Sequence, residues 1–310
     1  RSIALEIYSA FLLSLDPDVI LSSSMMEDLE DEYFCDLSNL KGRALLSAVV
    51  HDFISPQSPD QHLSDDRRFW YMERFGAISK ADLLLTHSTY SYNESKKFIP
   101  QVKALSISNA CNTIFYQKDI DDIECSAIKN IGINKPFILY IESLEKQKNL
   151  NRFFIAFNAL PKNIRDKYQV IIPCGGQQHI IESVQEQAVE IGLPRGSVCI
   201  LQYTSNKMLR TLYNACALFV YTSIDEGFGL PVLEAMTCGA PVIASNTTSI
   251  REVIGLEEAM FNPFDVEEIS TKIQRALTDK EFRTRLIDNA SHRRSVFSWD
   301  ISAKKVWSAF

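Results

Sequence analysis

The 310-residue chain is 46% hydrophobic and 23% charged, with a net charge of -7. That length exceeds the roughly 250–300 residues at which a single core stops growing, so two domains are expected. The ordinary charged fraction gives no support to disorder, and the acidic balance disfavours nonspecific binding to nucleic acid or anionic lipid.

The first residue is Arg1, and the chain opens in a helical pattern, IALEIYSAFLLSL, with no basic segment leading into an apolar one. It therefore reads as starting partway through a domain, with no visible signal peptide. No apolar run approaches the ~18–20 residues of a spanning helix. The seven cysteines are scattered, odd in number and without a CxxC pair, which fits buried, reduced thiols in a cytosolic protein.

Strand candidates follow in order, each short, apolar or β-branched, and bounded by turn residues. In the first part they are Asp18–Ser23, Leu45–Asp52, Asp82–Ser88 and Val102–Ser108. A polar stretch from Asn109 to Lys135 reads as a linker. A second series then begins: Phe137–Glu142, Tyr168–Cys174, Val198–Leu201, Ala217–Ser223, Pro241–Ser245 and Ala259–Asn262. Helical patterns such as NLNRFFIAFNAL and NKMLRTLYNACA alternate with them. Strands apolar on both faces, alternating with helices, predict an α/β fold of parallel sheets. The expectation is two Rossmann-like domains facing across a cleft, the first incomplete: 1–130, 131–298, and a final helix 299–310 returning to the first domain.

The strongest motif is YTSIDEGFGLPVLEAMTCG, Tyr221–Gly239. Gly227 and Gly229 allow a close backbone approach after a strand, and Pro231 falls in the first turn of the helix that opens near Leu230. Free N–H groups at such a helix start suit a diphosphate or a sugar oxygen. Glu226 and Glu234 bracket the turn, and carboxylates are acceptors fitted to vicinal hydroxyls. Spacing alone leaves open a carboxylate-pair glycosidase, or a helix-start charge beside a solvated acid.

EGFGLPVLEAMTCGAPVIAS, together with SNTTSIREVIG, FNPFDVEEI and the upstream YTSNKMLRTLYNACALFVYTS, resembles the retaining GT-B glycosyltransferases of the large group 1 family, and bacterial mannosyltransferases in particular. The resemblance covers Pro136–Phe310. It implies that Glu226 and Glu234 form the E-x7-E pair. Glu234 would then bind the donor ribose, and Glu226 with the backbone of Gly227, Phe228, Gly229 and Leu230 would surround the transferred sugar. Lys148, in YIESLEKQKNL, falls on the family's diphosphate-binding lysine. The family arginine is replaced by Gln147, which cannot supply a guanidinium fork, and the family glycine by Glu142. Lys146 would compensate in part.

A lone strand-end histidine commonly just satisfies a hydrogen bond, but HDFISPQSPDQHL resembles the segment whose histidine, here His51, faces the donor sugar, donating to a sugar hydroxyl or orienting the acceptor, with Asp52 positioning it or accepting a proton. In SKADLLLTHSTYSYNESKKF, Ser88 is either structural or acceptor-facing. Tyr203 stacks on a nucleobase or is simply a surface tyrosine.

The implied reaction is transfer of a hexose, mannose preferred, from a nucleotide diphosphate sugar, GDP-mannose preferred, to a glycan or lipid-linked acceptor. No metal and no cofactor are expected. Peripheral contact at the inner face of a membrane stays open, as does completion of the first sheet by a preceding segment or another chain. An epimerase acting on a nucleotide sugar, or a degenerate binding module, is the alternative.

Overall fold

The computed structural model describes residues 2–23, 40, 44–54, 65–141, 146–175 and 178–310, with side chains at 2, 4, 5 and 65–70 left aside. Glu142, Gly176 and the residues from Ser55 to Leu63 that follow the His51 strand lie outside the described residues. The chain divides into two compact units, residues 1–109 with 299–310, and residues 110–298.

The first unit carries helix α1 (Ser2–Ser14) and four parallel strands in the order β1 (Val19–Ser22), β2 (Leu45–Val50), β3 (Leu83–Thr86) and β4 (Lys103–Ser106). Helices α2 (Asp65–Ile78) and α3 (Thr89–Phe98) connect them. Alternation along the strands builds two small cores. Ile20, Leu46, Ala48, Val50 and Leu84 pack on one face with Ala77, Ile78 and Ile99. Val49, Leu83 and Leu85 pack on the other with Ile107. Residues two apart share a face, so both faces of the sheet are apolar and both must be covered. Val306 and Ala309 of the last helix, α13 (Trp299–Ala309), cover the second face. Ser88 caps α3, its Oγ accepting from the N–H of Ser91 at 2.9 Å, and so has a structural role.

The second unit holds six parallel strands in the order β10-β9-β8-β5-β6-β7: β5 (Phe137–Leu139), β6 (Gln169–Pro173), β7 (Val198–Leu201), β8 (Leu218–Tyr221), β9 (Val242–Ser245) and β10 (Met260–Phe261). Its helices are α4 (Asp122–Asn130), α5 (Leu150–Asn158), α6 (Lys162–Arg165), α7 (Gln178–Glu190), α8 (Asn206–Ala215), α9 (Leu230–Thr237), α10 (Ile250–Ile254), α11 (Val266–Thr278) and α12 (Lys280–Val296). All ten expected strands are present, each within or equal to its sequence-read span. The stretch 110–135 belongs to this unit. It contains α4, which starts on a reciprocal capping box between Asp121 and Glu124.

Strands β5, β6, β8 and β9 are buried along their whole length, as two-sided helix cover demands. Strand order reverses between β5 and β8: β6 and β7 extend from β5 on one side, β8, β9 and β10 on the other. In open parallel sheets this reversal leaves a crevice beyond the carboxyl ends of the strands, where ligands bind. None of the described helices is long and apolar enough to cross a membrane.

Candidate functional site

The loops leaving β5 and β8 meet at that reversal. Lys148 lies in a short 3-10 turn (Lys146–Lys148) after β5, and Glu226 lies between β8 and α9. Lys148 Nζ donates to Glu226 Oε1, and the pair is largely shielded from solvent. Ser223 Oγ donates to the same oxygen at 2.7 Å. The backbone of Glu226 is pinned as well: its N–H donates to Thr248 Oγ1 at 3.1 Å, and Ser249 Oγ donates to its carbonyl at 2.8 Å.

The lysine loop is clamped from beneath. Tyr140 Oη donates to the Lys148 carbonyl at 2.6 Å, and Thr222 Oγ1 reaches the same carbonyl at 3.0 Å. The Ile224 N–H donates to the Gln147 carbonyl at 2.8 Å. Asn149 adopts a left-handed conformation, φ 66°, and its side-chain amide donates to the Pro263 carbonyl at 2.7 Å. Asparagine tolerates this region through short local bonds, which explains a tight turn immediately before α5. A cation and a carboxylate thus stand on two neighbouring loops whose backbones are bonded to each other.

Gly229 is the N-cap of α9, at φ 93° and ψ 50°. A side chain there would meet only ordinary contacts, with Ile250 Cγ1 at 3.7 Å, so it is the backbone conformation that calls for glycine. No side chain caps the helix, and Pro231 sits in its first turn. This start therefore presents backbone N–H groups and the positive end of the helix dipole. Leu230 is partly exposed at the first helical position, whereas the Phe228 ring turns inward, edge-on to Phe297 at 5.4 Å. Phe228 can offer a ligand only its backbone.

Glu234 lies on α9 and accepts a hydrogen bond from Tyr213 Oη of α8 at 2.9 Å. Burial pushes the Glu234 carboxyl above the usual range, and the tyrosine hydroxyl pulls it back. Tyr213 itself is held far above its ordinary value by burial and by the adjacent carboxylate. Two residues named from the sequence lie at the surface: Lys146 is exposed, and Tyr203 is 88% exposed.

His51 follows β2 in the first unit, and its ring lies 4.4 Å from that of His87, which follows β3. The Ser91 Oγ donates to the His51 carbonyl at 3.2 Å. The Asp52 carboxylate accepts from the Ile54 N–H at 3.0 Å, shaping the turn after the strand. His87 is buried, and burial together with repulsion from His51 lowers its pKa to about 4, against a weaker opposing contact with the Ser108 backbone.

Sequence reasoning missed Tyr140, Ser223, Tyr213 and His87. Each sits in an apolar run or a buried helix face, where it reads as core. The signal for Tyr140 and Ser223 is their position at strand carboxyl ends. Among the described residues, no cluster of three or more histidines, cysteines or carboxylates is arranged to hold a metal ion.

Residues 121–293 match the family described as "Glycosyl transferases group 1". The chain is 32% identical over 294 residues to the serotype-specific mannosyltransferase WbdA of Escherichia coli, covering 93% of this chain and 36% of that protein. It is 31% identical to the O-antigen chain mannosyltransferase B of Escherichia coli, covering 84% of this chain and 69% of that protein. The chain thus spans about a third of the length of WbdA. Among solved structures, sucrose-phosphate synthase from Thermosynechococcus elongatus superposes with a TM-score of 0.75 at 19% identity, over 99% of this chain and 78% of that one. That likeness establishes the fold as GT-B. The chain belongs to the group 1 glycosyl transferases.

Proposed function

We propose that the chain transfers a hexose from a nucleotide diphosphate sugar to a hydroxyl of a glycan or lipid-linked acceptor, with retention of anomeric configuration. Mannose is the preferred sugar and GDP-mannose the preferred donor, in keeping with the two mannosyltransferase relatives. The observation that carries this reading is the Lys148–Glu226 pair, set at the sheet's order reversal beside an uncapped helix start.

Each part has a task. The Lys148 ammonium has three donors, so it can serve diphosphate oxygens while retaining Glu226. The backbone N–H groups at Gly229 and Leu230 add donors where negative charge builds as the diphosphate departs. Glu226, with the backbone of Gly227 and Phe228, accepts from hydroxyls of the transferred sugar and offsets its developing oxocarbenium charge. Glu234 grips the ribose. His51 is kept as a sugar-orienting residue on the family resemblance alone, and Asp52 shapes the turn that carries it. Lys146 supplies a second, mobile cation in place of the missing arginine at Gln147, and Tyr203 offers an exposed ring to a base.

Thermal unfolding with a panel of nucleotide sugars tests the reading, because a bound donor raises stability by mass action: about 2.7 kcal/mol at a hundred times its Kd. GDP-mannose is expected to give the largest shift, and a mannosylated acceptor with the donor's anomeric configuration is the expected product. A chain that no nucleotide sugar stabilises contradicts the proposal. A rearranged sugar formed without acceptor identifies an epimerase instead.

A further inference from the structure

We infer that Tyr213 is the positioning residue for nucleotide recognition: its hydroxyl holds one oxygen of Glu234 and so aims the other at the ribose hydroxyls. This inference rests on the proposed role of Glu234 and adds a residue that touches no substrate.

The geometry is specific. The Tyr213 ring is fully buried, edge-on to Phe115 at 5.7 Å and to Phe219 at 5.5 Å, so it cannot swing away from its carboxylate. Its Oη meets Glu234 Oε2 at 2.9 Å. A phenol carries one proton, and here that proton points at a carboxylate oxygen. Glu234 itself is only partly buried, unlike its neighbours Leu233 and Ala235 on the same helix. One end of the carboxylate is thus anchored in the core while the residue keeps a solvent-facing side. A carboxylate anchored at one oxygen loses less rotational freedom when the other binds a ligand, which is how a buried anchor raises affinity without touching the ligand.

The same bond favours the ionised, purely accepting form of Glu234 and so opposes the burial that raises its carboxyl. The other titratable groups coupled to it are Cys111, from the segment before α4, and Cys238, at the end of α9. Burial raises both thiols, Cys111 to about 11, so neither ionises in the range where Glu234 titrates.

The test compares GDP with 2′,3′-dideoxy-GDP by titration calorimetry across pH, in the wild-type chain, Tyr213→Phe, Glu234→Gln and the double variant. The probes differ only in the ribose hydroxyls. The wild type is expected to prefer GDP by at least tenfold, as hydrogen bonds to a charged group allow. Glu234→Gln should remove most of that preference. Tyr213→Phe should reduce it severalfold and move the pH at which it fades upward, while affinity for the dideoxy compound stays unchanged. In the double variant the tyrosine change should add nothing further.

An unchanged GDP preference in Tyr213→Phe, with the preference lost in Glu234→Gln, overturns the inference alone. A preference that survives Glu234→Gln instead overturns the ribose role of Glu234. Site-specific replacement of Tyr213 by 3,5-difluorotyrosine gives a second reading that spares the core, since ring and hydroxyl both remain. This more acidic donor should move the pH midpoint downward, and a fixed midpoint again overturns the inference.

Discussion

The two units secure their candidate residues in different ways. In the second, Lys148 and Glu226 stand on loops whose backbones are bonded to one another through Tyr140, Thr222 and the Ile224 N–H. In the first, His51 rests against the ring of His87, a neutral base held in the core. A hydrogen-bonded pair of loops fixes a charge in direction. A tilted contact between two rings holds a position but also ties the site to the protonation of its neighbour. The second unit's site should therefore respond to loss of single polar atoms, and the first unit's to pH.

The largest expected effect falls on the second unit. Glu226→Gln keeps the size of the side chain and its contact with Ser223 but removes the negative charge. It should lower kcat by about 10²–10³-fold, the range seen when one preorganised electrostatic contact is lost. Steady-state rates with saturating donor check this, and a variant with unaltered kcat would reassign Glu226 to a binding role.

Next comes the first unit's pH response. His87 titrates near 4 when folded and near 6.5 when unfolded, so the unfolded state binds more protons between these values. Its contribution is present above pH 6.5 and is lost as pH falls toward 4, worth about 3 kcal/mol over that window. Denaturant titrations at pH 7 and pH 4.5 should show the loss in wild type and a smaller loss in His87→Phe. Equal losses would mean that other groups carry the acid response.

These two outcomes bear on what the sequence could show. The βα alternation made all ten strands legible, because burial on both faces leaves unbroken apolar runs such as LLLT and LFVY. Glu226, Glu234 and Lys148 were legible because they lie within a long ordered motif. The supporting shell was not. Tyr213 sits on an amphipathic helix whose pattern declares it core, which it is, and nothing in that pattern tells a buried phenol that bonds a carboxylate from one that only packs. His87 ends an apolar strand in the same way as any strand-end histidine, and its ring contact with His51 depends on β2 and β3 being neighbours, a pairing that spacing alone does not specify. Phe228 entered the reading through its backbone alone, and its ring packs edge-on against Phe297 in the core.

Two smaller changes sharpen the contrast within the second unit. Tyr140→Phe removes the hydroxyl beneath the Lys148 carbonyl, and should cost about 1 kcal/mol of stability and loosen donor binding by a comparable factor. Calorimetry and thermal unfolding on the same sample separate the two. Gly229→Ala imposes a side chain on a left-handed residue and should cost about 1–2 kcal/mol, through backbone strain alone because the space for Cβ exists. A larger loss would show that the helix start tolerates no displacement.

The whole reading of the second unit requires that Lys148, the cation at the β5–β8 reversal, receive a nucleotide diphosphate. Titration of GDP and GMP into the wild-type chain and Lys148→Ala addresses it most directly. The wild type should bind GDP more tightly than GMP, and Lys148→Ala should lose about 10–100-fold in GDP affinity with little change for GMP, as expected for charge-assisted bonds to the terminal phosphate. Equal GDP affinity in the two chains would contradict the claim.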